Sequence, residues 1–460
     1  MSVLNKYNLI LVLLINLSFF QNVSSKGIVS IPFVKEFPEL NNLSPEKIPQ
    51  KLMDNIILSK IRVGTPPQSI SLKTEFAKYM SFIGGNTSLC EKKFFEDKSE
   101  SYVPSSGQPI PFGYLSGLST GINSSDYFYL NENSQEKINM NFILGIKTDK
   151  NIASGNLGLN IKSKDTEIYE KYNFIEMLKS KELINNNYFT IKYKDNKSGN
   201  LIIGDKPHKY NNSYNEKDFR EMYISLSSDA YTWNINFSSI YVGDNKTMEE
   251  KNIVGKNIYG FFKLEYGIIL GTENYRQYLL KEFMREQINK NMCYEVNFTF
   301  YISYYCKKDV DLSEIKNLYI NSKELDFTFE LNYKDLFYQN EDGNNYFLII
   351  FNNVDEEEEH SEFWSFGEPL IKKYNLIFNP DSKQIGIYAK LSDFDNKEET
   401  FWEKYKWYII LVIALTIILV GLGVMIFLYL KVLPRRKKKA NELNDDFDYP
   451  SNENKLINES

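Results

Sequence analysis

Between residues 26 and 400 the apolar positions fall in short runs, often alternating with polar ones and broken by Gly, Asn, Asp and Pro. Examples are "NLIIGDKP", "YTWNINFSSIYVGDN" and "YNLIFNPDSKQIGIYAK". Runs of this length, rich in Tyr, Phe, Ile and Thr, predict strands joined by tight turns. Two stretches keep the three- and four-residue spacing of an amphipathic helix instead, "IYEKYNFIEMLKSKELI" and "TENYRQYLLKEFMREQI". The expectation is a mainly β body with a few helices, and no internal period marks a solenoid. Residues 26–53 are polar, contain proline and hold no clear period, so they read as a short leading segment or a remnant prosegment.

Two apolar runs are longer. Residues 1–25 carry one early cation, Lys6, then "LILVLLINLSFF", then the small residues "VSS", the pattern of a secretory signal peptide. From Tyr408 to Leu430 no residue is charged, which satisfies the roughly 20 apolar residues needed to cross a bilayer core. Trp402, Trp407 and Tyr408 stand at one edge of that run, after a juxtamembrane stretch 396–407, and "RRKKK" (Arg435 to Lys439) follows the other edge. By the positive-inside rule this predicts a single-pass type I protein, its tail 431–460 cytoplasmic and its larger part extracellular or lumenal. The membrane expected is the plasma membrane or a vacuolar or endosomal one. The roughly 380 residues between leader and span exceed what one core usually supports, so two lobes are expected.

Composition narrows the chemistry. The net charge is −6 and no basic stripe points to nucleic acid. The chain has three cysteines and two histidines; His208 and His360 lie far apart, which leaves neither a zinc site nor a Ser/His/Asp triad. Local spacing supports one disulfide, Cys293 with Cys306, leaving Cys90 as an unpaired buried thiol. Phosphate-loop and dinucleotide signatures are absent, and no cofactor or metal is expected. Several sequons, including Asn86, Asn123, Asn236, Asn245 and Asn297, predict a glycoprotein. The run "DEEEEH" (Asp355 to His360) reads as a solvated loop, and the acidic tail as disordered.

The order of particular stretches says more. "IRVGTPPQ" (61–68) resembles the strand and turn that lead to the first catalytic aspartate of pepsin-like aspartic peptidases. "YLSGLSTGINSSDYFYL" (114–130) resembles their flap hairpin, and "SGNLGL" (154–159) their D-G-I-L-G-L segment. "YFTIKY" and "SGNLIIGD" follow at the lobe junction. "YTWNINFSSIYVGDN" (231–245) then resembles Y-W-x-I-x-L-x-x-I-x-V-G of the second lobe, and "FWSFGEPLIKKYNLIFNPDSKQIGIYAK" (363–390) the C-terminal signature. The resemblance implies a bilobal pepsin-like acid protease fold, with an N-terminal β lobe over 54–205, a C-terminal β lobe over 206–395 and a peptide-binding cleft between them. Each lobe of such a peptidase lends one aspartate from a D-T-G loop.

This chain departs from that pattern at both loops. Anchoring on Gly64 and Gln68 places Glu75, Phe76 and Ala77 where D-T-G is wanted. In the second lobe "YGIILGTENY" puts Leu270, Gly271 and Thr272 there. The chemistry needs two close carboxyls that share a proton and activate a water. A glutamate moves its carboxyl one methylene outward, and a shift of about 1 Å can cost on the order of 10²-fold. Leucine moves no proton, and phenylalanine lacks the Thr hydroxyl that ties the two loops together in the family. Glu273, three residues beyond Leu270, is the alternative acid, but Ile268 and Ile269 anchor the strand against that register. Tyr114 occupies the flap tyrosine position and Gly117 the hairpin glycine, so the tyrosine either covers the cleft or packs within its own hairpin. At the C-terminal signature Gly367, Lys372, Lys373, Tyr374, Phe378 and Gly386 fit, while Glu368 and Asn379 replace aspartates.

The expectation is a membrane-anchored, catalytically inactive homologue that binds a peptide or protein in its cleft, with no catalytic residue of its own and degenerate positions at Glu75 and Leu270. The alternatives are an active aspartic-type endopeptidase with an atypical site and a surface adhesion or structural ectodomain.

Overall fold

The computed structural model describes residues 27–390, apart from 37–39, 41–42, 106, 112–118, 131–133, 149–152, 163–169, 226–231, 245, 281–283, 299 and 353–362, together with 410–429 except 412. The chain divides into two compact units, Met1–Leu391 and Ser392–Ser460.

The first unit is built on a 14-stranded and an 11-stranded sheet. Alternation decides which face each strand buries. In Ile56–Val63 the side chains of Ile57, Ile61 and Val63 are all but sealed from solvent, and Ile70 and Leu72 of the paired strand Gln68–Glu75 join them. Val29–Glu36 is a strand of the same sheet, hydrogen-bonded antiparallel to Ser198–Ile203 on one side and to Ile56–Val63 on the other. Part of the stretch expected as a leading segment or prosegment remnant is therefore inside the body, with Ile31 and Phe33 in the core.

The first sheet also takes strands from the chain's far end. Ile377–Asn379 pairs with Phe189–Tyr193, and Gln384–Tyr388 pairs with Phe219–Tyr223. The halves expected over 54–205 and 206–395 therefore share one sheet. The second sheet runs through Asn234–Gly243, Ile253–Phe262, Ile269–Gly271 and Phe363–Phe366.

The helices are shorter than the sequence pattern predicts. Phe174–Ser180 starts where the Asn173 side chain accepts from the Ile175 and Glu176 amides, so Asn173 caps it, and it stops before Glu182 turns to positive φ. The second helical stretch gives Glu273–Leu279 and Arg285–Asn289. In the second unit residues 410–411 and 413–429 are helical with exposed apolar side chains. No helix among the described residues is long and apolar enough to cross a membrane. The span expected over 408–430 includes four residues outside the description.

Candidate functional site

Lys73 and Glu75 lie two apart on strand Gln68–Glu75 and so share a face. Asn156, on the parallel strand Gly155–Gly158, stands in register with Lys73. These three side chains meet. Lys73 Nζ is 2.7 Å from Glu75 Oε1, and Asn156 Nδ2 donates to Glu75 Oε2. Glu75 is only 6% exposed, so its charge is held by one cation and one amide that both come from its own part of the sheet.

Phe76 replaces a hydrogen-bonding tie with apolar packing. It is buried, with ring centroids 4.8 Å from Phe378, 6.1 Å from Phe189 and 6.4 Å from Trp233. Aromatic pairs of this geometry contribute about 0.5–1.5 kcal/mol each beyond their buried area. Trp233 adds a polar link, its Nε1 donating to the Leu159 carbonyl at 2.9 Å.

Ala77 brings in a carboxyl that the sequence reading did not single out. Its amide donates to Glu265 Oε1 at 2.6 Å. Glu265 reaches this loop because residues 264–267 are stitched to Met53–Asn55. The Asn55 amide donates to the Glu265 carbonyl at 2.8 Å, Asn55 Nδ2 donates to Leu264, and the Gly267 amide donates to Met53. Burial raises the Glu265 carboxyl above its ordinary value, the Glu75 charge raises it further, and the bond from Ala77 opposes both. Its Oε2 is shut off from solvent, and no described group bonds it. The available signal was a single acid in the apolar approach "FFKLEYGIIL", five residues before Leu270.

Leu270 sits mid-strand in Ile269–Gly271, paired with Ile350 on one side and Ser365 on the other. Glu273 begins the following helix and is engaged by Arg276, whose Nε lies 2.6 Å from Glu273 Oε2. Tyr114 and Gly117 lie outside the described residues. Cys293 and Cys306 face each other across two antiparallel strands and are joined in a disulfide, while Cys90 is a buried free thiol. Among the described residues no group of three or more His, Cys, Asp or Glu gathers to hold a metal.

Chemically, the first loop holds the Glu75 carboxyl, tied by Lys73 and Asn156, and a second carboxyl, Glu265, reaching its Ala77 amide, while the strand Ile269–Gly271 of the other sheet carries a leucine at 270. Comparison with known proteins agrees with the fold. The family model described as eukaryotic aspartyl protease matches residues 58–390. Plasmepsin VII of Plasmodium berghei (strain Anka) is 23% identical over 290 residues, which cover 60% of this chain and 59% of that protein. The chain thus spans about three fifths of the length of the curated relative it matches.

Proposed function

Because the chain belongs to the eukaryotic aspartyl protease family, we propose that it is a catalytically inactive, membrane-anchored member whose cleft holds a peptide or protein. One observation carries this: Leu270 stands mid-strand where the second acid is needed, while the only acid in the first loop is bonded on both oxygens by Lys73 and Asn156. Hydrolysis by this family's chemistry needs a carboxyl pair sharing one proton around a water. The Glu75 carboxyl is engaged by Lys73 and Asn156, and leucine at 270 offers it no partner. The binding role is supported by family membership, whose architecture implies a peptide-binding cleft between two lobes. The apolar run 408–430, with aromatics before it and cations after it, supports anchoring, and residues 1–25 support entry to the secretory route.

A second reading rests on Glu265. Its carboxyl bonds the amide two residues beyond Glu75 and responds to that residue's charge. A Glu75/Glu265 pair would supply an acid and a base from different loops, with Glu265 as the protonated member.

One experiment separates the two. The full chain in detergent is incubated with an unfolded protein from about pH 3 to about 6, the range in which paired carboxyls share a proton. The expected result is no pepstatin-sensitive cleavage, with membranes retaining the chain through alkaline carbonate extraction. Cleavage lost in both Glu75→Gln and Glu265→Gln would establish the second reading instead.

A further inference from the structure

We propose that Asn236 carries an N-linked glycan whose first sugars lie on an aromatic platform formed by Tyr259 and Phe363. The inference rests on the secretory reading above and goes beyond it by choosing the site and its seat. Asn236 is exposed within strand Asn234–Gly243, in the sequon Asn236-Phe237-Ser238. Phe237 is buried, so the strand's alternation points Asn236 outward. No described residue bonds the Asn236 side chain, whereas Asn297 donates to Glu295 at 3.1 Å and the Asn123 oxygen is buried.

The neighbouring strands continue the same row. Asn236 stands in register with Tyr259, and Tyr259 in register with Phe363. The two rings stack, 5.6 Å between centroids at 30°, and remain 39% and 47% exposed. Side chains directly opposite on one sheet face lie about 4.5–5.5 Å apart at Cβ. A sugar on Asn236 Nδ2 therefore extends over Tyr259, and the next over Phe363. The C–H face of a pyranose is apolar, and covering an exposed aromatic pair removes that surface from water. Asn297, by contrast, faces a carboxylate, its side chain donating to Glu295.

The test uses the full chain made in a host that attaches N-linked glycans, with glycopeptide mapping and thermal unfolding. The peptide spanning Asn236 is expected to be modified, and both Asn236→Gln and Ser238→Ala to lose one glycan. Enzymatic removal of glycans is expected to lower the melting temperature of the parent by about 1–3 °C more than that of Tyr259→Ser/Phe363→Ser. A bare Asn236 beside modified sequons elsewhere overturns this inference alone. No modification at any sequon overturns the secretory reading with it. A modified Asn236 whose trimming shifts parent and double variant equally overturns the platform.

Discussion

Three residues, Glu75, Leu270 and Glu265, carry the chemical argument. Glu75 and Leu270 were readable because landmarks of the resemblance sit close by, Gly64 and Gln68 before the first and Ile268 and Ile269 before the second. Glu265 was not, because it reaches Ala77 only through a loop docked on Met53–Asn55, some two hundred positions away in sequence. Its raised carboxyl gives a pH dependence with a definite sign. The folded state holds the proton more tightly than the unfolded chain, whose ordinary value is 4.5. Stability from this group is therefore fully present below that value and falls as pH rises through the folded one. Glu265→Gln keeps an oxygen for the Ala77 amide and removes the charge. The variant should match the parent in the acid range and melt higher near neutrality, so the gap between their melting temperatures opens with rising pH. A constant gap would show that Glu265 does not titrate at this seam.

Elements were legible where a long run carried its own period and illegible where neighbours impose the structure. Val29–Glu36 offers only Val29, Ile31 and Phe33 as alternating anchors, interrupted by Pro32. The proline is tolerated because pairing with Ile56–Val63 begins only at Phe33, so one flank is open at that point. The helix Phe174–Ser180 shows the opposite error, since its apolar spacing runs well past its ends. Asn173 sets the true start: it accepts from two amides of the first turn, and its Nδ2 donates to the Tyr79 carbonyl at 2.8 Å. Asn173→Ala should cost about 0.5–2 kcal/mol for the cap and more for the orphaned carbonyl, read as a lower denaturant midpoint at unchanged slope. Asn173→Asp, which keeps only the cap, should recover part of that loss.

Across the whole first unit, the signature that made the family legible lies far along the chain from the site it supports. "NLIFNPDSKQIGIY" supplies Ile377–Asn379 and Gln384–Tyr388, both of which complete the sheet that also holds Glu75. Phe378 then stacks on Phe189 at 5.2 Å and meets Phe76 and Trp233, so one ring closes the contact between segments from both halves. Losing a single buried phenylalanine side chain costs about 3–5 kcal/mol, against a total stability of about 5–15 kcal/mol for a whole domain. A chain ending at residue 376 loses that ring, two strands and the pairing of Phe189–Tyr193 on one edge. It should show no cooperative unfolding transition by near-ultraviolet circular dichroism, whereas a chain ending at residue 390 should unfold like the intact body. If the shorter chain melted with the same cooperativity, the shared sheet would not be what joins the two halves, and the floor would owe its geometry to each half alone.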